Sequence, residues 1–244
     1  MTFHYSVFVY LFILFTKCVF ANVCKFDVKL TQTLHNEGFH RNITYGVVFN
    51  EEDESEDWIN RDCIIALDQK LPPGVYVNPD ELGELRRTNK LNALPKNRVN
   101  VELPTEQSDD SSVYIIGMVS ESKVYLWIPI HARYHKAVAG GGMAKNEIEP
   151  PKMYLRCPDR RLDMCGKTIS PSVSFLCNGS SREQCSWKEI PFTMMTSTLV
   201  WEVPIGNLDH YYAVAFGTVL AILSGSMYLL KAIHAYKMRK LKRA

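Results

Sequence analysis

The stretch VYLWIPIHARYH, Val124 to His135, places His131 and His135 four residues apart with Arg133 between them. Imidazoles at that spacing hold zinc when they lie on one face of a helix. The surrounding residues deny them that helix. Val124, Leu126, Ile128, Ile130, Ala132 and Tyr134 alternate with Tyr125, Trp127, Pro129, His131, Arg133 and His135. This is the period of two of a strand, and Pro129 opposes a helix interior. In an extended chain the two histidines stand about 13 Å apart, at about 3.3 Å per residue, too far to share one ion. The pattern predicts an exposed polar strip on a membrane-distal or partner-facing surface, with neither metal nor catalytic role.

Other reaction chemistry is equally absent from the sequence. There is no G-x-S-x-G, P-loop, H-E-x-x-H or G-x-G-x-x-G pattern. No D-x-D triplet of the kind metal-dependent sugar transferases use is present. The expectation is a protein that is not an enzyme and takes no cofactor. The formal net charge of +2 gives no basis for a nucleic-acid partner.

The elements that must position this strand begin with the two ends of the chain. Val7 to Phe15 is an unbroken apolar and aromatic run, and Val19 and Ala21 suit positions −3 and −1 of a cleavage site. Residues 1–21 therefore read as a signal peptide. Tyr211 to Leu230 is a 20-residue run without a formal charge, long enough to span about 30 Å of bilayer core as a helix. Residues 231–244 hold Lys231, Lys237, Arg239, Lys240, Lys242 and Arg243 and no acid. Positive charge flanking a span stays cytosolic. This predicts a type I single-pass protein with residues 22–210 in the lumen. Lys240 and Lys242 form a K-x-K-x-x ending, the address by which cytosolic coat proteins return type I proteins to the endoplasmic reticulum. Within the span, Ala213, Gly217, Ala221 and Gly225 recur every four residues. Such a small-residue stripe lets a partner helix approach closely, and Ser224 beside it could add a hydrogen bond.

Removal of the signal peptide takes Cys18 with it and leaves Cys24, Cys63, Cys157, Cys165, Cys177 and Cys185. An even number in an oxidising compartment favours disulfides, and six cysteines allow 15 pairings. The shared C-x7-C spacing suggests two local loops, Cys157–Cys165 and Cys177–Cys185. Sequons at Asn42 and Asn178 are candidate glycosylation sites.

The lumenal segment reads as an all-β, sandwich-like domain with one short helix. Strands are expected over Asp27 to Leu34, Asn42 to Phe49, Val113 to Val119 and Thr198 to Val203. The helix starts at NPDELGELRR, where Asn78 can cap, Pro79 suits the first turn and Glu81 completes a capping box. Glu51 to Asp57, with six acids in seven residues, reads as a solvated loop. Ala139 to Pro151 reads as a flexible loop by its glycines and prolines.

LPPGVYVNPDELGELRR (Leu71 to Arg87) resembles the signature of the X subunit of GPI mannosyltransferase I, the phosphatidylinositol-glycan biosynthesis class X family. WIPIHARYH, YLRCP, QCSW and VPIG follow in the family's order, up to the apolar span. The resemblance implies a non-catalytic glycoprotein of the endoplasmic-reticulum membrane. It would stabilise a multispan catalytic subunit that adds the first mannose to the glycosylphosphatidylinositol precursor. It also marks Pro73, Gly74, Tyr76, Pro79, Glu81, Leu82, His131, Arg133, Tyr134 and His135 as candidates for folding or partner contact. The alternative weighed against it is a type I cargo adaptor or receptor carrying a lumenal β-domain.

Overall fold

Alternation of apolar and polar side chains builds most of the chain into strands. The computed structural model describes residues 27–49, 62–119, 122–158, 162–163, 172–177 and 183–241. The expected signal peptide, Cys24, Glu51 to Asp57, Cys165, Asn178 and Lys242 lie outside these residues.

In chain order the elements are β1 (Val28–His35), β2 (His40–Phe49), β3 (Ile64–Leu71), β4 (Val75–Tyr76), α1 (Pro79–Arg87), β5 (Ala93–Pro95), β6 (Ser111–Met118), β7 (Lys123–Ala132), β8 (Gly142–Ile148), β9 (Lys152–Arg156), β10 (Ser172–Leu176), β11 (Gln184–Glu189), β12 (Thr193–Met194), β13 (Leu199–Ile205) and α2 (Tyr211–Leu241). The first sheet has the order β12-β1-β2-β7-β4, the second β10-β11-β9-β3-β6-β5, and β13 pairs with β8. The chain divides into two units, one formed by residues up to 134 with 145–203, the other by 135–144 with 204 onward.

In the first unit the two large sheets face each other across one core. Leu30, Ile43, Val47, Ile128 and Ile130 of one sheet join Ile65, Leu67, Val113, Ile115, Met153 and Leu155 of the other. This is the β-sandwich that the alternation predicts. A polar link crosses the core. The Tyr45 hydroxyl donates to Gln69 Oε1 at 2.8 Å, and Gln69 Nε2 donates to the carbonyls of Lys70 and Glu149. Burial raises the Tyr45 hydroxyl well above its ordinary pKa, so it stays a donor.

The second sheet is also covered on its outer face. Ala66, Tyr114, Ile116 and Tyr154 point away from the sandwich core, yet all four are buried. The β10–β11 hairpin folds over them: Phe175 stacks on Tyr114 at 4.5 Å and on Trp187 at 4.6 Å. Only Lys188 and Glu189 of β11 pair with β9, which frees the rest of the hairpin to turn back.

The two disulfides of the described residues join one hairpin end and two neighbouring strands. Cys177–Cys185 closes the tip of the hairpin, as the spacing suggests. Cys157 does not close a local loop with Cys165. It pairs with Cys63 across 94 residues. Ile64 of β3 lies opposite Arg156 of β9, so the next position on each strand brings the two cysteines together. The equal C-x7-C spacing carried no information about this pair.

Ala139 to Pro151 is not a flexible loop throughout. Gly142–Ile148 forms β8, because Ile148 is buried in the core and buried Asn146 donates to the Trp201 carbonyl. In the second unit, the Val138 amide donates to Gly206 O and the Leu208 amide to Val138 O. Asn207 caps the turn into α2 by accepting from the Asp209 amide at 2.8 Å. Residues Leu208–Arg239 form a helix long and apolar enough to cross a membrane. The helix runs on through much of the basic segment that the sequence places after Leu230.

Candidate functional site

Strand β7 keeps the expected alternation except at Pro129, which is buried although the pattern puts it on the polar face. Val124, Leu126, Ile128, Ile130 and Ala132 of β7 face the core, while Tyr125 is exposed and Trp127 half-buried on the outer face. Beyond Ala132 the extrapolation fails. β7 stops there, so alternation no longer dictates direction. Arg133 turns inward and is buried, while Tyr134 is 78% exposed, the reverse of the strand pattern. The Arg133 amide donates to Gly74 O. Its guanidinium Nη1 donates to Leu103 O at 2.8 Å and its Cζ lies 4.5 Å from the Tyr76 ring centre. Burial lowers the guanidinium from its usual pKa, with Tyr76 opposing. The strip is therefore not a uniformly exposed polar surface. It is half packed into the fold.

What packs it is the Leu71 to Arg87 block. Pro73 and Gly74 make the turn that sends β3 into β4, with the Val75 amide bonded to Pro72 O. β4 pairs with the end of β7, placing Tyr76 opposite His131 with their rings 5.3 Å apart. Asn78 caps α1 by accepting from the Asp80 amide, and Pro79 occupies the first turn. Leu82 is buried and anchors the helix. Glu81 serves a different purpose from the expected capping box. Its Oε2 lies 2.7 Å from His131 Nε2, and its Oε1 lies 3.5 Å from His40 Nε2.

His40 is the residue the sequence reading missed. β2 and β7 pair antiparallel with His40 opposite His131, so the two imidazoles stand side by side with centroids 4.3 Å apart. Only strand register brings them together, and no local pattern around His40 signals it. His135 lies beyond the strand, in the second unit. Next to the cluster, Phe39 and Tyr134 contact at 5.6 Å, both partly or largely open to solvent.

These positions make a fastening. Four chain segments, around residues 40, 71–87, 103 and 131–134, are tied by one carboxylate, two imidazoles, a buried guanidinium and an aromatic ring. Rings of His40 and Tyr76 lie against His131, and its Nε2 is taken by Glu81. The remaining expected sites are scattered. Asn42 lies on β2 opposite His35 and Pro129. Ala213, Gly217, Ala221 and Gly225 are exposed on α2. Ser224 Oγ already donates to Ala221 O at 3.1 Å, which satisfies it within the helix. Lys240 falls in the last turn of α2.

Comparison with known proteins gives concordant results. The family model described as PIG-X / PBN1 matches residues 36–234, a range that contains the fastening and most of α2. A Mus musculus protein named "GPI alpha-1,4-mannosyltransferase I, stabilizing subunit" is 27% identical over 214 residues, 86% of this chain and 82% of its own. Homo sapiens and Rattus norvegicus proteins of the same name are 25% and 26% identical, each over 86% of this chain, and over 81% and 83% of their own lengths.

Proposed function

Because the chain belongs to the PIG-X / PBN1 family, we infer that it is the stabilising, non-catalytic subunit of GPI mannosyltransferase I in the endoplasmic-reticulum membrane. The observation that carries this reading is the shared name of the mouse, human and rat relatives, each matched over more than four fifths of its length. The fold agrees in kind. Of the two histidines that looked most like chemistry, His131 is engaged with Glu81 and Tyr76, and the neighbouring Arg133 is engaged with Tyr76 and the Leu103 carbonyl.

A separate multispan subunit performs the transfer of the first mannose to the glycosylphosphatidylinositol precursor. This chain crosses the lipid bilayer once through α2, with the β-domain lumenal and the basic end cytosolic. Ala213, Gly217, Ala221 and Gly225 offer the face on which a partner helix packs. Lys240 and Lys242 return escaped copies through coat proteins, and Asn42 and Asn178 accept glycans in the lumen. Support comes from the apolar length of α2 and the charge asymmetry around it.

Affinity purification of the tagged full chain in mild detergent tests the partnership. Recovery of a multispan mannosyltransferase in near-equal amount is expected. Recovery of secretory cargo without such an enzyme would point to an adaptor instead.

A further inference from the structure

We propose that His40, Glu81 and His131 bind a single divalent transition-metal ion, zinc by the chemistry of the donors. Each residue offers one ligand atom, and the three atoms all lie within 4.8 Å of one another. They come from the start of β2, the first turn of α1 and the end of β7.

A hydrogen bond between Glu81 and His131 explains two of the three groups. It leaves His40 unexplained. The His40 Nε2 sits 3.5 Å from the second Glu81 oxygen, too far for a strong hydrogen bond. Yet its ring is held beside His131 by the register of β2 and β7 and turned toward the same carboxylate. Two imidazole nitrogens and one carboxylate oxygen aimed at one small volume form the donor set of zinc sites with three protein ligands. Zinc bonds to these atoms run about 2.0–2.2 Å, which sets tetrahedral ligand separations of roughly 3.3 Å. His131 Nε2 lies 2.7 Å from one Glu81 oxygen and His40 Nε2 lies 3.5 Å from the other, and the three ligand atoms stand within 4.8 Å of one another, so a shift of about an ångström brings them to that spacing. The His40 side chain is 54% exposed, so it is free to make the small adjustment that convergence requires. Imidazoles disfavour calcium and magnesium, which take oxygen donors.

An ion here completes the fastening. It cross-links segments around residues 40, 81 and 131 and leaves a fourth position for water. The neighbouring cation does not compete: the Arg133 guanidinium is directed to Leu103 O and the Tyr76 ring.

The test uses the full chain in mild detergent, stripped with chelator and titrated with zinc, with cobalt as a spectroscopic stand-in. One zinc per chain is expected, together with visible d–d bands from cobalt and a rise in thermal midpoint on zinc addition. His40→Ala leaves the Glu81–His131 pair intact, so a folded variant is expected. It should lose the cobalt bands and bind zinc at least about tenfold more weakly. Glu81→Gln should do the same. Unchanged zinc affinity in His40→Ala, no zinc bound to the wild type, or displacement of zinc by millimolar calcium would each overturn the proposal. Since metal content is read directly, its failure leaves the subunit assignment untouched.

Discussion

The two disulfides of the described residues should differ in worth by a predictable amount. Cys63–Cys157 joins positions 94 residues apart, and Cys177–Cys185 positions 8 apart. In the chain-entropy account a cross-link stabilises by restricting the unfolded chain, more so for a longer loop. The relation gives about 4.7 kcal/mol for the long loop and about 2.5 kcal/mol for the short one, a difference of about 2 kcal/mol. Replacing each pair with alanines tests this without leaving a free thiol from that pair. Truncation costs are comparable, because Cys63 and Cys177 are both buried. The readout is urea unfolding of the full chain in mild detergent, followed by fluorescence of buried Trp187 and Trp201. Loss of the long link should remove a large share of a domain's usual 5–15 kcal/mol, roughly. Loss of the short one should loosen the hairpin and cost less. Equal losses, or a larger loss for Cys177–Cys185, would refute the reasoning.

Four further outcomes follow from the packing. Leu82→Ala removes the buried anchor of α1 and should cost about 2–5 kcal/mol in the same unfolding assay. Phe175→Ala strips the cover from the outer face of the second sheet; about 3–5 kcal/mol should be lost, and Trp187 emission should shift to the red. The Tyr154 hydroxyl is pushed up to about 12, first by burial and then by Glu189. The folded state thus holds this proton more tightly than the unfolded chain, so its contribution is whole below about pH 10 and lost as pH climbs through about 12. Unfolding midpoints measured across that window should fall, and Tyr154→Phe should remove part of the slope. Gly217→Ile should leave the unfolding of the β-domain unchanged but reduce co-purification of the partner by roughly fivefold or more, the equivalent of about 1 kcal/mol.

Local pattern revealed the elements, and register hid the site. The alternation of β7, the caps of α1 and the apolar length of α2 are each written in a contiguous stretch, and each element was legible for that reason. Alternation lost its authority where the strand ended, which is why Arg133 and Tyr134 exchanged their expected sides. Gly and Pro between Ala139 and Pro151 suggested a loop, but pairing with β13 and burial of Ile148 override local propensity. Glu81 looked like a capping residue because its own neighbours fit that role, whereas its partners lie 41 and 50 positions away in the sequence. His40 and the Cys63–Cys157 link depend on which strands become neighbours. No short-range period encodes that.

This chain maintains an enzyme that it does not itself constitute. Depleting it from cells and measuring the mannosyltransferase polypeptide alongside its activity per remaining molecule tests this directly. The polypeptide should fall, activity per remaining molecule should be retained, and re-expressing the chain should restore the amount. A catalytic polypeptide present at its normal level but inactive without this chain would contradict this.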